Sequence, residues 1–172
     1  MNADDLRALQ TPIKDRYRSD PTSASLTLRS RGVLGEESIT CKVDTGRAIV
    51  EAGLHPAAGG DGSAACSGEM LLEALVACAG VTLRAVSTAI GVEVRGGTVT
   101  AEGDLDFRGT MGVDKSARVG FTAIRLRFEL ESNADPASIE TLKRLTERYC
   151  VIFQSLARPP ELACEIACEP SA

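Results

Sequence analysis

Residues Met70 to Val86 read MLLEALVACAGVTLRAV, and this run decides the fold. Glu73 and Arg84 are its only charges. Ser67 before it is a suitable N-cap and Gly91 after it a suitable stop, so a helix is expected from Gly68 to Ile90. A helix apolar on nearly every side belongs inside a protein. Ala74, Ala77, Ala79 and Gly80 would let another element approach it closely. The run is expected to be too short and too charged to cross a membrane.

The segments on either side read differently. Before the helix, Pro56–Ser67 (PAAGGDGSAACS) is a Gly/Ala/Ser-rich loop of the kind that borders sites. Earlier still, Ser25–Arg29, Ser38–Asp44 and Ala48–Ala52 alternate as short strands, with Cys41 facing a core. After the helix, Gly97–Glu102, Asp104–Phe107 and Phe121–Leu130 are strands, and Arg108–Arg118 is a hairpin loop. In the last of these strands Ile124, Leu126, Phe128 and Leu130 share one face.

Asp135-Pro136 opens a second helix, with Ile139, Leu142, Leu145 and Tyr149 as its apolar stripe. Glu140–Arg144 and Lys143–Glu147 are spaced to pair on its wet face. Cys150 ends it, followed by the apolar Val151–Phe153. Glu161–Cys168 reads as a final strand whose Leu162, Cys164, Ile166 and Cys168 face a core. Strands before and after a central helix, joined by hairpins, make an α+β fold with antiparallel sheets wrapped around that helix. Residues 1–20 form an N-terminal arm with a short helix over Asp4–Gln10, and 21–172 a single domain.

Composition narrows the function. A net charge of −5 on 172 residues opposes nucleic-acid binding, which needs a basic surface. The charged opening MNADDLRALQTPIKDRYRSD lacks the apolar region of a signal peptide, so a cytoplasmic protein with no membrane partner is expected. Six cysteines stand at 41, 66, 78, 150, 164 and 168, with one histidine, His55, and no CxxC. That spacing offers no clustered metal ligands, and neither metal nor cofactor is expected.

Each thiol has a plain reading as a small buried hydrophobe. Cys78 shares a helix face with Leu71, Leu75 and Thr82. A reactive thiolate there would need a cation from elsewhere in the fold, because the dipole of the helix start fades within its first turn. Cys164 and Cys168 stand about 13 Å apart along a strand, too far for a mutual disulfide. Cys66 reads as a loop residue, and His55 before Pro56 as a surface one.

LLEALVACAGVTLRAV after its Gly-rich loop, and ERYCVIFQSL some seventy residues later, resemble the two cysteine segments of the OsmC/Ohr family. The resemblance covers roughly residues 24–168. It implies an intertwined α+β homodimer with its sites between subunits. It further implies reduction of organic or hydrogen peroxides: Cys78 attacks the peroxide, Cys150 resolves as a disulfide, and a dithiol reductant resets the pair. An arginine from the first strand or its following turn would hold the thiolate. Arg29 and Arg31 both lie there, and Arg31 fits the strand end better.

Peroxidase members begin the central helix with Asn-Pro-Glu, and that glutamate's place is Gly68 here, with Glu69 one residue on. Glu69 points about half a turn away from Cys78, which suits a favourable charge at a helix start as well as a catalytic partner. Val151 stands where those members often have proline. The other readings are a thiol redox sensor without turnover, a dimer that binds a small apolar ligand, and a domain whose thiols only pack.

Overall fold

The computed structural model of the chain describes residues 2–20, 31–34, 40–44 and 49–168, and for β1 and β2 below the backbone alone. Helix α1 (Ala3–Ser19) begins on a capping box. The Asp5 N–H donates to the Asn2 side chain at 2.8 Å, and the Asn2 N–H donates back to the Asp5 carboxylate at 3.0 Å. The short helix expected over Asp4–Gln10 therefore runs on to Ser19, through Pro12. Proline removes one N–H from the ladder but leaves the later turns to propagate. Exposed Arg7–Asp4 and Arg18–Asp15 pairs flank it.

Strands β1 (Arg31–Leu34), β2 (Thr40–Asp44), β3 (Ile49–Gly53) and β4 (Ala65–Cys66) form one sheet in that order. The first two pairings are antiparallel and the β3–β4 pairing is parallel. The expected strand Ser25–Arg29 lies outside the described residues, as does the side chain of Cys41. The loop after β3 holds a 3-10 turn, Pro56–Ala58. His55 accepts the Ala57 N–H on Nδ1 at 3.0 Å and stacks on Phe107 at 5.0 Å. The histidine expected at the surface is thus half-buried and closes this turn.

Helix α2 (Ser67–Ile90) follows directly. Ser67 is its first helical residue rather than its cap, and Cys66 caps it without a side-chain hydrogen bond. Gly91 ends it at φ +73°, where a side chain would be strained. At 24 residues α2 is long and apolar enough, by length and composition, to cross a membrane, contrary to the expectation from residues 70–86 alone. Its Leu75, Ala79, Leu83 and Val86 face is instead buried within the chain.

Strands β5 (Gly96–Leu105) and β6 (Phe121–Glu131) pair antiparallel as a second, two-stranded sheet. The two strands expected over residues 97–107 are one, irregular only between Asp104 and Leu105. The expected loop holds a single turn of helix, α3 (Phe107–Thr110). As expected, Ile124, Leu126, Phe128 and Leu130 face inward from β6. The outer face carries ion pairs such as Arg125 with Asp104 and Glu102.

Helix α4 (Pro136–Tyr149) starts as read, with Asp135 accepting the N–H groups of Ala137 and Ser138. Its buried stripe is Leu142 and Thr146, whereas Tyr149 is 58% exposed. Thr146 tolerates burial because its hydroxyl donates to the Leu142 carbonyl at 2.8 Å. The ion pair formed on its wet face is Lys143 with Glu140 at 3.6 Å, in place of the expected Glu140–Arg144 and Lys143–Glu147 pairs. A last helix, α5 (Val151–Ala157), follows at once.

Two apolar clusters hold α2 to the β5–β6 sheet and to α4 and α5. One gathers Leu83, Val86, Val94 and Leu142, the other Leu75, Ala79 and Cys150. The architecture is mixed α and β, with two small sheets and one long helix. Two expectations fail within the chain. Residues 161–168 form no strand, and Leu162 and Ile166 are 86% and 87% exposed, as Cys164 and Cys168 also are exposed. Alternation makes a strand only where a sheet edge is there to pair with it. Helix α2 likewise is not covered all round, because Leu71, Ala74, Ala77 and Val81 stay exposed on one face.

Candidate functional site

The fold brings Cys78 and Cys150 together. Cys78 lies at the start of the fourth turn of α2, packed against the cluster that contains Cys150. Cys150 reaches it because α4 packs along α2 and ends beside it. At that point one residue serves two helices. The Cys150 N–H donates to the Thr146 carbonyl at 3.0 Å and closes α4, while its sulfur accepts the Phe153 N–H at 3.5 Å and opens α5. Cys150 is 1% exposed and Cys78 half-buried.

The two thiols are made unequal. Burial pushes the Cys78 pKa up, but hydrogen bonds outweigh it and hold the thiol below its ordinary range. They come from the Ile152 N–H, the Cys150 thiol, the Val151 N–H and the Thr82 hydroxyl. Burial pushes the Cys150 thiol up, the Phe153 N–H opposes it, and the neighbouring Cys78 adds to the rise. Of the two, Cys78 is the thiol that gives up its proton more readily, and Cys150 the one that holds it longer.

Thr82 sits one turn beyond Cys78. Helical threonines often return their hydroxyl to the carbonyl four residues back, as Thr88 does to Arg84 and Thr146 to Leu142. Thr82, on the face of Cys78, is instead among the groups that lower the Cys78 thiol. The helical spacing placed Thr82 on the right face but not in this role. Nothing in the sequence marked the N–H groups of Val151 and Ile152, because the run VIFQSLA was not read as a separate helix.

The other expected residues lie elsewhere or outside view. Glu69 stands exposed in the first turn of α2, as a favourable charge at a helix start. The Arg31 backbone pairs with Asp44 at the start of β1; its side chain, and all of Arg29, lie outside the described residues. Cys66 is half-buried at the α2 cap rather than in the loop. Among the described residues no group of His, Cys, Asp or Glu could hold a metal ion.

An apolar cavity of about 350 Å³ lies between β6 and α4, lined by Leu83, Leu126, Phe128, Leu142, Cys150 and Phe153 among others. A dithiol with one activated sulfur, beside an apolar space, can form and release a disulfide.

Solved structures share the fold. An OsmC-like protein from Mycoplasma pneumoniae superposes with a TM-score of 0.65 at 17% identity, over 78% of this chain and 90% of that one. A Legionella pneumophila organic hydroperoxide resistance protein OsmC, described as a predicted redox protein, gives 0.60 at 15% identity, over 77% and 90%. The organic hydroperoxide resistance protein OhrB of Bacillus subtilis gives 0.52 at 16% identity, over 78% and 93%. At such identities the likeness shows the fold. No curated protein matches the sequence. The OsmC-like protein family profile matches residues 60–165, which hold both cysteines, α2 and the α4–α5 junction, and the chain belongs to that family.

Proposed function

We propose that this chain is a thiol-dependent hydroperoxide reductase. The observation that carries the reading is the packing of Cys78 against buried Cys150 in one cluster, where Cys78 is the thiol lowered and Cys150 the thiol raised. The Cys78 thiolate attacks the peroxide O–O bond, which breaks as an S–O bond forms. The terminal oxygen stays on sulfur, and the carbon-bound oxygen leaves and takes a proton to become an alcohol. The Cys150 sulfur then attacks the resulting sulfenic acid, and its proton leaves with the hydroxide as water. A dithiol reductant restores both thiols by exchange. The N–H groups of Val151 and Ile152 and the Thr82 hydroxyl stabilise the attacking thiolate, which they do from within the chain.

The apolar cavity beside Cys150 suits the alkyl part of an organic hydroperoxide. The cation that faces the peroxide is assigned to Arg31, with Arg29 as the alternative on the same segment. Glu69 serves the start of α2 rather than the chemistry. The working form is a homodimer in the cytoplasm. Support for the dimer comes from the bare Leu71–Val81 face of α2 and from the unpaired apolar segment 161–168, both costly for a single chain in water.

The test is to treat the reduced protein with one equivalent of cumene hydroperoxide and to map disulfides by mass spectrometry, alongside Cys78→Ser and Cys150→Ser. The expected result is a Cys78–Cys150 bond within seconds, and a Cys78 sulfenic acid when Cys150 is replaced. Thiols unchanged over minutes would sink the reading.

A further inference from the structure

Cys150 has a charged surroundings of its own. Arg148 precedes it by two residues, and Arg158 closes α5. Both line a shallow, open concavity of about 490 Å³ that runs over Cys150, Val151 and Ser155. No Asp or Glu lines it. Among the described residues Arg148 and Arg158 take part in no ion pair. Arg148 lies over the Tyr149 ring, 5.5 Å from its centroid, which limits its wandering. The same two arginines also line the neighbouring concavity, where Glu147 supplies one negative charge against Arg144, Arg148 and Arg158, so the balance there stays positive.

We propose that Arg148 and Arg158 form a carboxylate-binding site that docks an anionic thiol against Cys150, so that this thiol reopens the Cys78–Cys150 disulfide. The inference rests on the proposed function and names the chemistry of its reductant. Arginine's planar fork suits a carboxylate, and two forks over one concavity favour an anion strongly over a neutral molecule. The direction of exchange agrees. In thiol–disulfide exchange the sulfur of lower pKa leaves faster. Cys78 is lowered and Cys150 raised, so Cys78 departs and Cys150 is attacked. Cys150 is 1% exposed, with Tyr149 and Val151 beside it 58% and 66% exposed, so the incoming thiol reaches the sulfur only as these neighbours move aside.

The exchange balances. The incoming thiolate bonds to the Cys150 sulfur as the bond to Cys78 breaks, and the electron pair stays on Cys78. A second thiolate, the other arm of a dithiol or a second monothiol, attacks the bound thiol's sulfur, releases a small disulfide and leaves Cys150 as a thiolate, which takes a proton from water. Two thiols supply the two electrons.

The experiment oxidises the protein with one equivalent of cumene hydroperoxide and then reduces it with 3-mercaptopropionate or 3-mercaptopropionamide. Each rate is divided by that thiol's rate on a small free disulfide, and thiols are counted by quenched alkylation and mass spectrometry. The carboxylate thiol is expected to act about fivefold faster at low ionic strength. Added salt should erode that preference, and R148Q/R158Q should bring the two rates together. Equal rates in the unaltered chain, a preference indifferent to salt, or one that survives R148Q/R158Q would overturn the inference alone. If peroxide leaves both thiols free, the proposed function falls and the inference with it.

Discussion

Leu75→Ala probes the packing beneath the paired thiols. Leu75 is 1% exposed and belongs to the cluster of Ala79 and Cys150. Truncating a buried leucine costs about 2–5 kcal/mol, the spread being set by how far the site collapses. Here Leu75 also borders an open concavity with Leu71, Phe121 and Phe153, so water and side-chain movement can relieve part of the void. That places the expected loss near the lower end, about 2–3 kcal/mol. For a domain of this size each kcal/mol moves Tm by about 2–4 °C, so a fall of roughly 4–12 °C follows. Urea unfolding at one fixed protein concentration, with an unchanged m value, is the assay. The same variant should form the Cys78–Cys150 disulfide more slowly, because the α2 face that orients Cys78 has loosened. A loss below about 1 kcal/mol would refute the reasoning, since surface-like costs of that size do not come from a well-packed core leucine.

Three further outcomes follow from single features. Thr82→Val keeps the shape but removes a donor to the Cys78 sulfur; the midpoint of its pH–alkylation profile, followed by peptide mass spectrometry, should move upward. Gly91→Ala meets no side chain within 4 Å yet must hold φ +73°, so thermal unfolding should show a loss of about 1 kcal/mol from backbone strain alone. The Asp135 carboxyl is held below its ordinary range, chiefly by the Ser138 hydroxyl. A depressed carboxyl contributes stability that is present above its unfolded pKa and lost as pH falls through the folded one. Urea midpoints should therefore fall on acidification in the native chain, and less so in Asp135→Asn, which keeps a capping oxygen without the charge.

What was legible in the sequence was whatever local chemistry decides. The α2 run, its Gly91 stop, the Asp135-Pro136 start of α4 and the alternation along β6 all appear where they were read. Each is fixed by neighbours a few residues away. Legibility ended where a distant or absent partner decides. Glu161–Cys168 alternates like a strand, yet no edge of the chain takes it, and its apolar side chains stand in solvent. Helix α2 reads as buried all round, and the chain covers only part of it. At the site, motif resemblance named Cys78 and Cys150, but spacing alone could not bring them together. The contributions of Val151, Ile152 and Thr82 were hidden because two are backbone groups, which carry no residue signature, and the third is a common helical threonine.

Cys150 closes α4 with its backbone and opens α5 with its sulfur, so the start of α5 is wired to the oxidation state of one atom. When that sulfur bonds to Cys78, the Phe153 amide loses a thiol acceptor for a poorer one. The amide of Phe153 then becomes a built-in gauge: its exchange with deuterium should quicken on oxidation and slow on reduction, giving a readout of the thiol pair from the backbone itself.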